Sequence, residues 1–101
     1  MNTFTFLAAL TLLGASTILA AGEESKPRKL GLCSACHQEN GRAVLPEYPN
    51  LCGQNEEYMV LALRAYRSGE RRNAQMRSLI GMLNEAEMRE LSRWYSRQRC
   101  E

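Results

Sequence analysis

A single histidine, His37, stands in the 101 residues, so no site in this chain is built on two imidazoles. Charge is missing from residues 1–22 altogether, and every charged residue lies from Glu23 onwards. A dense basic stripe is also missing. The formal net charge is only +2, with 24% charged residues, which excludes nucleic acid as a partner because nothing neutralises a row of phosphates. There is no alternating strand pattern, no internal repeat and no low-complexity tract, so the fold reads as all-α. No acid, base or nucleophile constellation is visible, which excludes an enzyme that works through its own side chains.

The uncharged segment is the first feature that is present. Phe4-Thr5-Phe6-Leu7-Ala8-Ala9-Leu10-Thr11-Leu12-Leu13 has the character of a signal-peptide hydrophobic region. Ile18-Leu19-Ala20 forms a cleavage site ahead of Ala21 and Gly22. The expectation is a signal peptide over residues 1–21 and an exported, periplasmic domain over 22–101. An uncleaved anchor is the alternative: no Lys or Arg stands near Met1, and the apolar run approaches spanning length. A membrane enters only in that case. Export leaves roughly 80 residues, near the lower limit for a self-sufficient core, and such domains need a staple.

Cys33-Ser34-Ala35-Cys36-His37 supplies one. A C-x-x-C-H pentapeptide is the attachment signature of c-type haem. Two thiols three residues apart add to the two vinyl groups of a porphyrin, and the next residue is held under the iron as its proximal ligand. A covalently bonded porphyrin adds apolar surface that so short a chain lacks. Four cysteines, Cys33, Cys36, Cys52 and Cys100, also permit a plain disulfide scaffold with three connectivities. His37 directly after Cys36 weighs against it.

Around the motif the chain reads as short helices. Glu23 to Arg28 is a polar linker entering a short helix, with Pro27 at its first position. Gly31, between Leu30 and Leu32, suggests close approach to another helix. From Gln38 to Gln54, punctuated by Gly41, Pro46, Pro49 and Gly53, a loop of about 17 residues is long enough to wrap a prosthetic group. Asn55 then caps a helix with Glu56 and Glu57 in its first turn, which ends at Ser68-Gly69. After the basic turn Glu70-Arg71-Arg72-Asn73 comes an irregular, short apolar piece from Met76 to Leu83. Asn84 and Glu87 open the last helix with a capping box, and Met88, Leu91, Trp94 and Tyr95 form its apolar stripe. Three or four helices result, with the long loop between the first two.

A distal ligand must come from outside the histidines, and thioether sulfur is the natural choice. The candidates are Met59, Met76, Met82 and Met88. Packing explains Met59 and Met88, each inside a helix pattern. Spacing favours Met76, after the basic turn, only modestly over Met82.

From Leu30 to Tyr95 the sequence resembles the small class I cytochromes c of bacteria, in particular the c553- and c4-like type. Several ordered blocks carry the resemblance. Asn40-Gly41 follows the pentapeptide, and Tyr48-Pro49-Asn50-Leu51-Cys52-Gly53-Gln54 resembles the proline-x-leucine-alanine-glycine-glutamine block. Tyr58, Leu63 and Tyr66-Arg67-Ser68-Gly69-Glu70-Arg71-Arg72-Asn73 resemble the helix that ends in a glycine-x-arginine turn. Met76 stands at the distal methionine, seven residues before Leu83, and Leu91, Trp94 and Tyr95 match the closing helix. The resemblance implies the class I cytochrome c fold, one haem bonded to Cys33 and Cys36, proximal His37 and distal Met76. It also implies that the Pro49 carbonyl accepts a hydrogen bond from the other imidazole nitrogen. Gln38 in place of the usual glycine, Cys52 in place of a small alanine, and the additional Cys100 depart from the pattern.

In an oxidising compartment the two remaining cysteines, Cys52 and Cys100, invite pairing as the last helix folds back. The alternative is a buried Cys52 thiol with Cys100 free or bonded to another chain. The expected function is electron transfer between redox protein partners by a monomer, with Arg42, Arg71, Arg72 and Arg77 orienting an acidic partner. The other readings are a haem subunit docked permanently to a periplasmic oxidoreductase and a five-coordinate haem sensor.

Overall fold

The computed structural model of the protein describes residues 3–15 and 25–101. Four α-helices and no strand occur among them: α1 (Gly31–His37), α2 (Glu56–Ser68), α3 (Ala74–Ile80) and α4 (Glu85–Ser96). The all-α expectation holds.

Three of the four helices start the same way. Asn55, Asn73 and Asn84 each sit in extended backbone, and each side chain accepts a hydrogen bond from the amide three residues on, Tyr58, Met76 and Glu87. That bond satisfies one of the orphan donors of a first helical turn. At α4 the Glu87 carboxylate returns a bond to the Asn84 amide, completing the capping box. At its far end α2 stops at Gly69, whose φ of 85° is left-handed.

Three local expectations are corrected. The 76–83 piece is not irregular at its start: α3 spans Ala74–Ile80 and places Met76 in its first turn. Seven residues are too few for periodicity to stand out, and tertiary packing carries so short a helix. Pro27 is not the first residue of α1. Its carbonyl accepts from the Leu30 amide at 3.1 Å in a turn, and the helix begins four residues later. Gly31 meets nothing either, since a Cβ there finds no atom within 4 Å. The close approach belongs to Gly41 (φ 80°), where a Cβ would lie 2.9 Å from the Cys52 Cα and nearer still to its nitrogen.

Helix α2 packs on α3 and α4. Leu30, Met59, Ile80, Leu83, Met88, Leu91 and Tyr95 form one buried cluster, with Leu63, Tyr66, Met76 and Trp94 packed against it. The Met88 side chain is fully buried. Ion pairs clamp the outer edges of the α2–α4 seam: Arg64 and Arg67 to Glu85, Arg89 to Glu57, and Arg93 to Glu56. Arg67 also reaches the Leu83 carbonyl at 2.8 Å and so holds the turn into α4.

Residues 3–15 form no helix or strand, and Phe4, Phe6, Leu7, Leu10, Leu12 and Leu13 are exposed. The expected cleavage site, Ile18-Leu19-Ala20, lies outside the described residues. Among the described residues no helix is long and apolar enough to cross a membrane.

Candidate functional site

Helix α1 carries three of the expected site residues on two turns. Cys33 and Cys36 are three apart and therefore neighbours on its surface. His37 is the last residue of the helix and is buried at 6% exposure. Directly after it the chain turns sharply at Gln38, with φ 57° and ψ 171°.

The ring of His37 is fixed by a distant residue. Its Nδ1 lies 2.8 Å from the Pro49 carbonyl oxygen. A carbonyl has no proton to give, so Nδ1 carries the hydrogen, and Nε2 keeps the lone pair that can bind a metal. Tyr48 packs beside the same ring, with centroids 6.2 Å apart.

Pro49 belongs to a loop that is itself well held. The Asn50 side chain accepts from the Ala43 amide at 2.8 Å. The Gly41 carbonyl accepts from the Leu51 amide at 2.7 Å and the Cys52 amide at 3.3 Å. A side chain at position 41 would block that pairing. Cys52 and Cys100 are joined as a disulfide with Cα atoms 5.3 Å apart, within the ordinary range. The pairing expected from the sequence is therefore present, and Cys33 and Cys36 are the free cysteines.

Both free thiols, His37, Pro49 and Met76 line one cavity of about 190 Å³. Leu32, Leu63, Leu79, Ile80 and Leu91 make most of its wall apolar. Of the four candidate methionines, Met76 and Met59 line it, Met88 lies in the core, and Met82 is half exposed and away from the cavity. Arg71 stands at the cavity with its guanidinium 4.9 Å from the centre of the Tyr66 ring. Arg42, Arg72 and Arg77 are exposed and do not line it.

Burial pushes the Cys33 thiol up to about 11, so it stays protonated at neutral pH. The Tyr48 phenol is raised chiefly by a hydrogen bond with the Cys36 thiol. Ser92 also faces the cavity, and its buried hydroxyl has no hydrogen-bond partner. An apolar wall, two thiols on one helix face, an imidazole with a committed tautomer and a thioether are together the donor set of a covalent haem. The residues fit that group.

Several contributors were not visible from the sequence. Tyr95, expected only as part of an apolar stripe, donates its hydroxyl to the Gln38 carbonyl at 2.7 Å. Trp94 donates to the next carbonyl, that of Glu39, at 2.8 Å. The last helix thus grips the carbonyls of the two residues that follow the histidine. Tyr48, Gly41 and Ser92 are further additions. Gly41 and Tyr48 stand in the Asn40-Gly41 turn and the Tyr48-to-Gln54 block without a stated role, and Ser92 carries no signal.

No family model matches the chain. Curated relatives do. It is 37% identical over 82 residues to cytochrome c-554(548) of Halomonas halodenitrificans, a match covering 78% of this chain and 94% of that protein. It is 27% identical over 100 residues to cytochrome c4 of Pseudomonas aeruginosa, covering 98% of this chain and 50% of that one. A protein of Thiomonas intermedia named thiosulfate dehydrogenase electron acceptor is 32% identical over 92 residues, covering 90% of this chain and 42% of that one. The chain thus spans half of the Pseudomonas cytochrome c4 and less than half of the Thiomonas protein. On this likeness, above all to a relative matched over nearly its whole length, the chain belongs to the class I c-type cytochromes, proteins of haem-based electron transfer.

Proposed function

We propose that residues 22–101 form an exported, single-haem electron carrier that docks transiently with redox protein partners. Cys33 and Cys36 would hold the haem covalently, and His37 Nε2 and Met76 Sδ would bind its iron. When bound, the haem supplies an iron that alternates between ferrous and ferric. The chain's part would be to keep His37 and Met76 in the same places in both states. His37 is oriented by the Pro49 carbonyl, and the apolar wall excludes water from the metal.

The observation that carries this reading is the convergence of two thiols, a tautomer-fixed His37 and Met76 on one apolar cavity. Export is supported by the uncharged residues 1–22 and by the Cys52–Cys100 disulfide, a bond typical of oxidising compartments. Optical spectra of the oxidised and reduced protein test the site. They should show covalent haem and, when oxidised, the weak red iron–methionine band. Met76→Ala should abolish that band and Met82→Ala should leave it; the reverse pattern moves the ligand to Met82. Rapid carbon monoxide binding by the reduced protein would replace the carrier with a five-coordinate sensor.

The Thiomonas relative is named as an electron acceptor of a dehydrogenase, which links the second reading, a haem subunit held by an oxidoreductase, to that class of partner. Purification from the native source separates the two. A carrier emerges alone, a subunit with its catalytic chain.

A further inference from the structure

Pro49 gives the site its most directed contact, yet Pro49 has no backbone N–H with which to anchor itself. Its carbonyl is therefore set by the residues that follow. Asn50 is tied to Ala43, and Leu51 and Cys52 to Gly41. The Gly53 amide donates to the Tyr95 carbonyl at 3.1 Å. The covalent tie is the disulfide, which runs from buried Cys52, three residues after Pro49, to exposed Cys100, beyond the end of α4.

We propose that the Cys52–Cys100 disulfide is a positioning element for His37. By locking the loop Pro49–Gly53 against the C-terminal segment, it fixes the carbonyl that holds the imidazole. The proposal rests on the reading of His37 as an iron ligand. A hydrogen bond from Nδ1–H to a carbonyl raises the basicity of the ligating nitrogen and orients the ring. A more basic ligand favours the ferric state. Loosening the carbonyl weakens that preference, so the reduction potential moves upward. A disulfide that merely cross-links a small domain lowers stability when removed and leaves the potential where it was.

The test compares haem-loaded, full-length wild type with the double variant Cys52→Ala/Cys100→Ala. Two readouts are used: the reduction potential, and the exchange rate of the His37 Nδ1–H by NMR. The double variant should show a more positive potential and Nδ1–H exchange faster by about tenfold, the mark of a weakened local closure. Asn50→Ala keeps the disulfide but frees the same loop, and should shift both readouts in the same direction. Glu85→Gln cuts ion pairs on the far seam and should lower the melting temperature with both readouts unchanged. If the double variant does not accumulate, wild type reduced with dithiothreitol and alkylated gives the same exchange comparison. A lower melting temperature with unmoved potential and exchange would overturn the proposal. A wild type without a covalent-haem spectrum overturns the ligand reading of His37; an intact spectrum with unmoved readouts overturns this inference alone.

Discussion

The hydroxyl of Tyr95 donates a 2.7 Å hydrogen bond to the carbonyl of Gln38, the residue that turns the chain away from His37. Gln38 is the one non-glycine residue with positive φ among those described, and its φ of 57° with ψ 171° borders a region that side chains rarely occupy. The Gln38 amide donates to the Ser34 carbonyl at 2.9 Å. Both the N–H and the C=O of a strained residue are thus pinned, one by the helix before it and one by the helix that closes the fold.

Gln38→Gly should therefore stabilise the protein. Strain at such a residue costs on the order of 1–3 kcal/mol, against roughly 0.5–1 kcal/mol for the added freedom of glycine in the unfolded chain. A net gain of about 1 kcal/mol raises the midpoint of thermal unfolding by several degrees. Scanning calorimetry checks it. A lower midpoint would mean that the Gln38 side chain makes a contribution larger than the strain.

Tyr95→Phe removes the donor and leaves the Gln38 carbonyl without its partner, at a cost of about 1–2 kcal/mol read as a lower urea midpoint. A pH signature accompanies it. Burial raises the Tyr95 phenol above its ordinary value of 10.0, so its stabilisation is complete below that pH. It is lost as pH rises through the higher folded value, because only the unfolded chain ionises first. Alkaline destabilisation beginning near pH 10 in wild type should be weaker in Tyr95→Phe.

At the acid end the α2–α4 seam should respond. Arg89 holds the Glu57 carboxyl below the usual carboxylate range, and Arg64 does the same for Glu85. A depressed carboxyl contributes stability above its unfolded value and loses it as pH falls through the folded one. Melting temperatures followed downward from pH 5 should fall less steeply in Glu85→Gln than in wild type. High salt should narrow the difference, since these pairs are exposed.

Ser92→Ala should raise stability by about 1 kcal/mol. The hydroxyl is buried without a partner, a desolvation cost on the order of 1–3 kcal/mol, and alanine is the better helix former. Chemical denaturation of both proteins decides it. A loss of stability would show that the hydroxyl finds a partner once the cavity is filled.

What the sequence disclosed follows from how local each signal is. Asn55 and Asn84 precede long apolar patterns and were legible as caps. Asn73 makes the same bond, but the seven residues after it carry too little periodicity to reveal a helix. The disulfide was legible from compartment and leftover cysteines. Local pattern points to Gly31 for close approach, whereas the glycine that needs it is Gly41, because the crowding comes from Cys52, which no local pattern brings beside it. Tyr95 and Trp94 were legible as an apolar stripe and not as donors. An aromatic at helical spacing declares which face is buried, but not what its polar atom meets.

The grip of α4 on the turn after His37 also bears on when the site can form. Tyr95 and Trp94 reach back 57 and 55 residues to Gln38 and Glu39. Contacts of such separation come late, because the intervening chain must first be gathered. The cysteines and the histidine sit together on α1, yet the peptide units beyond the histidine wait for α4 to pack. The two thiols and the imidazole are thus grouped early in assembly, and the backbone that follows the imidazole is held only later.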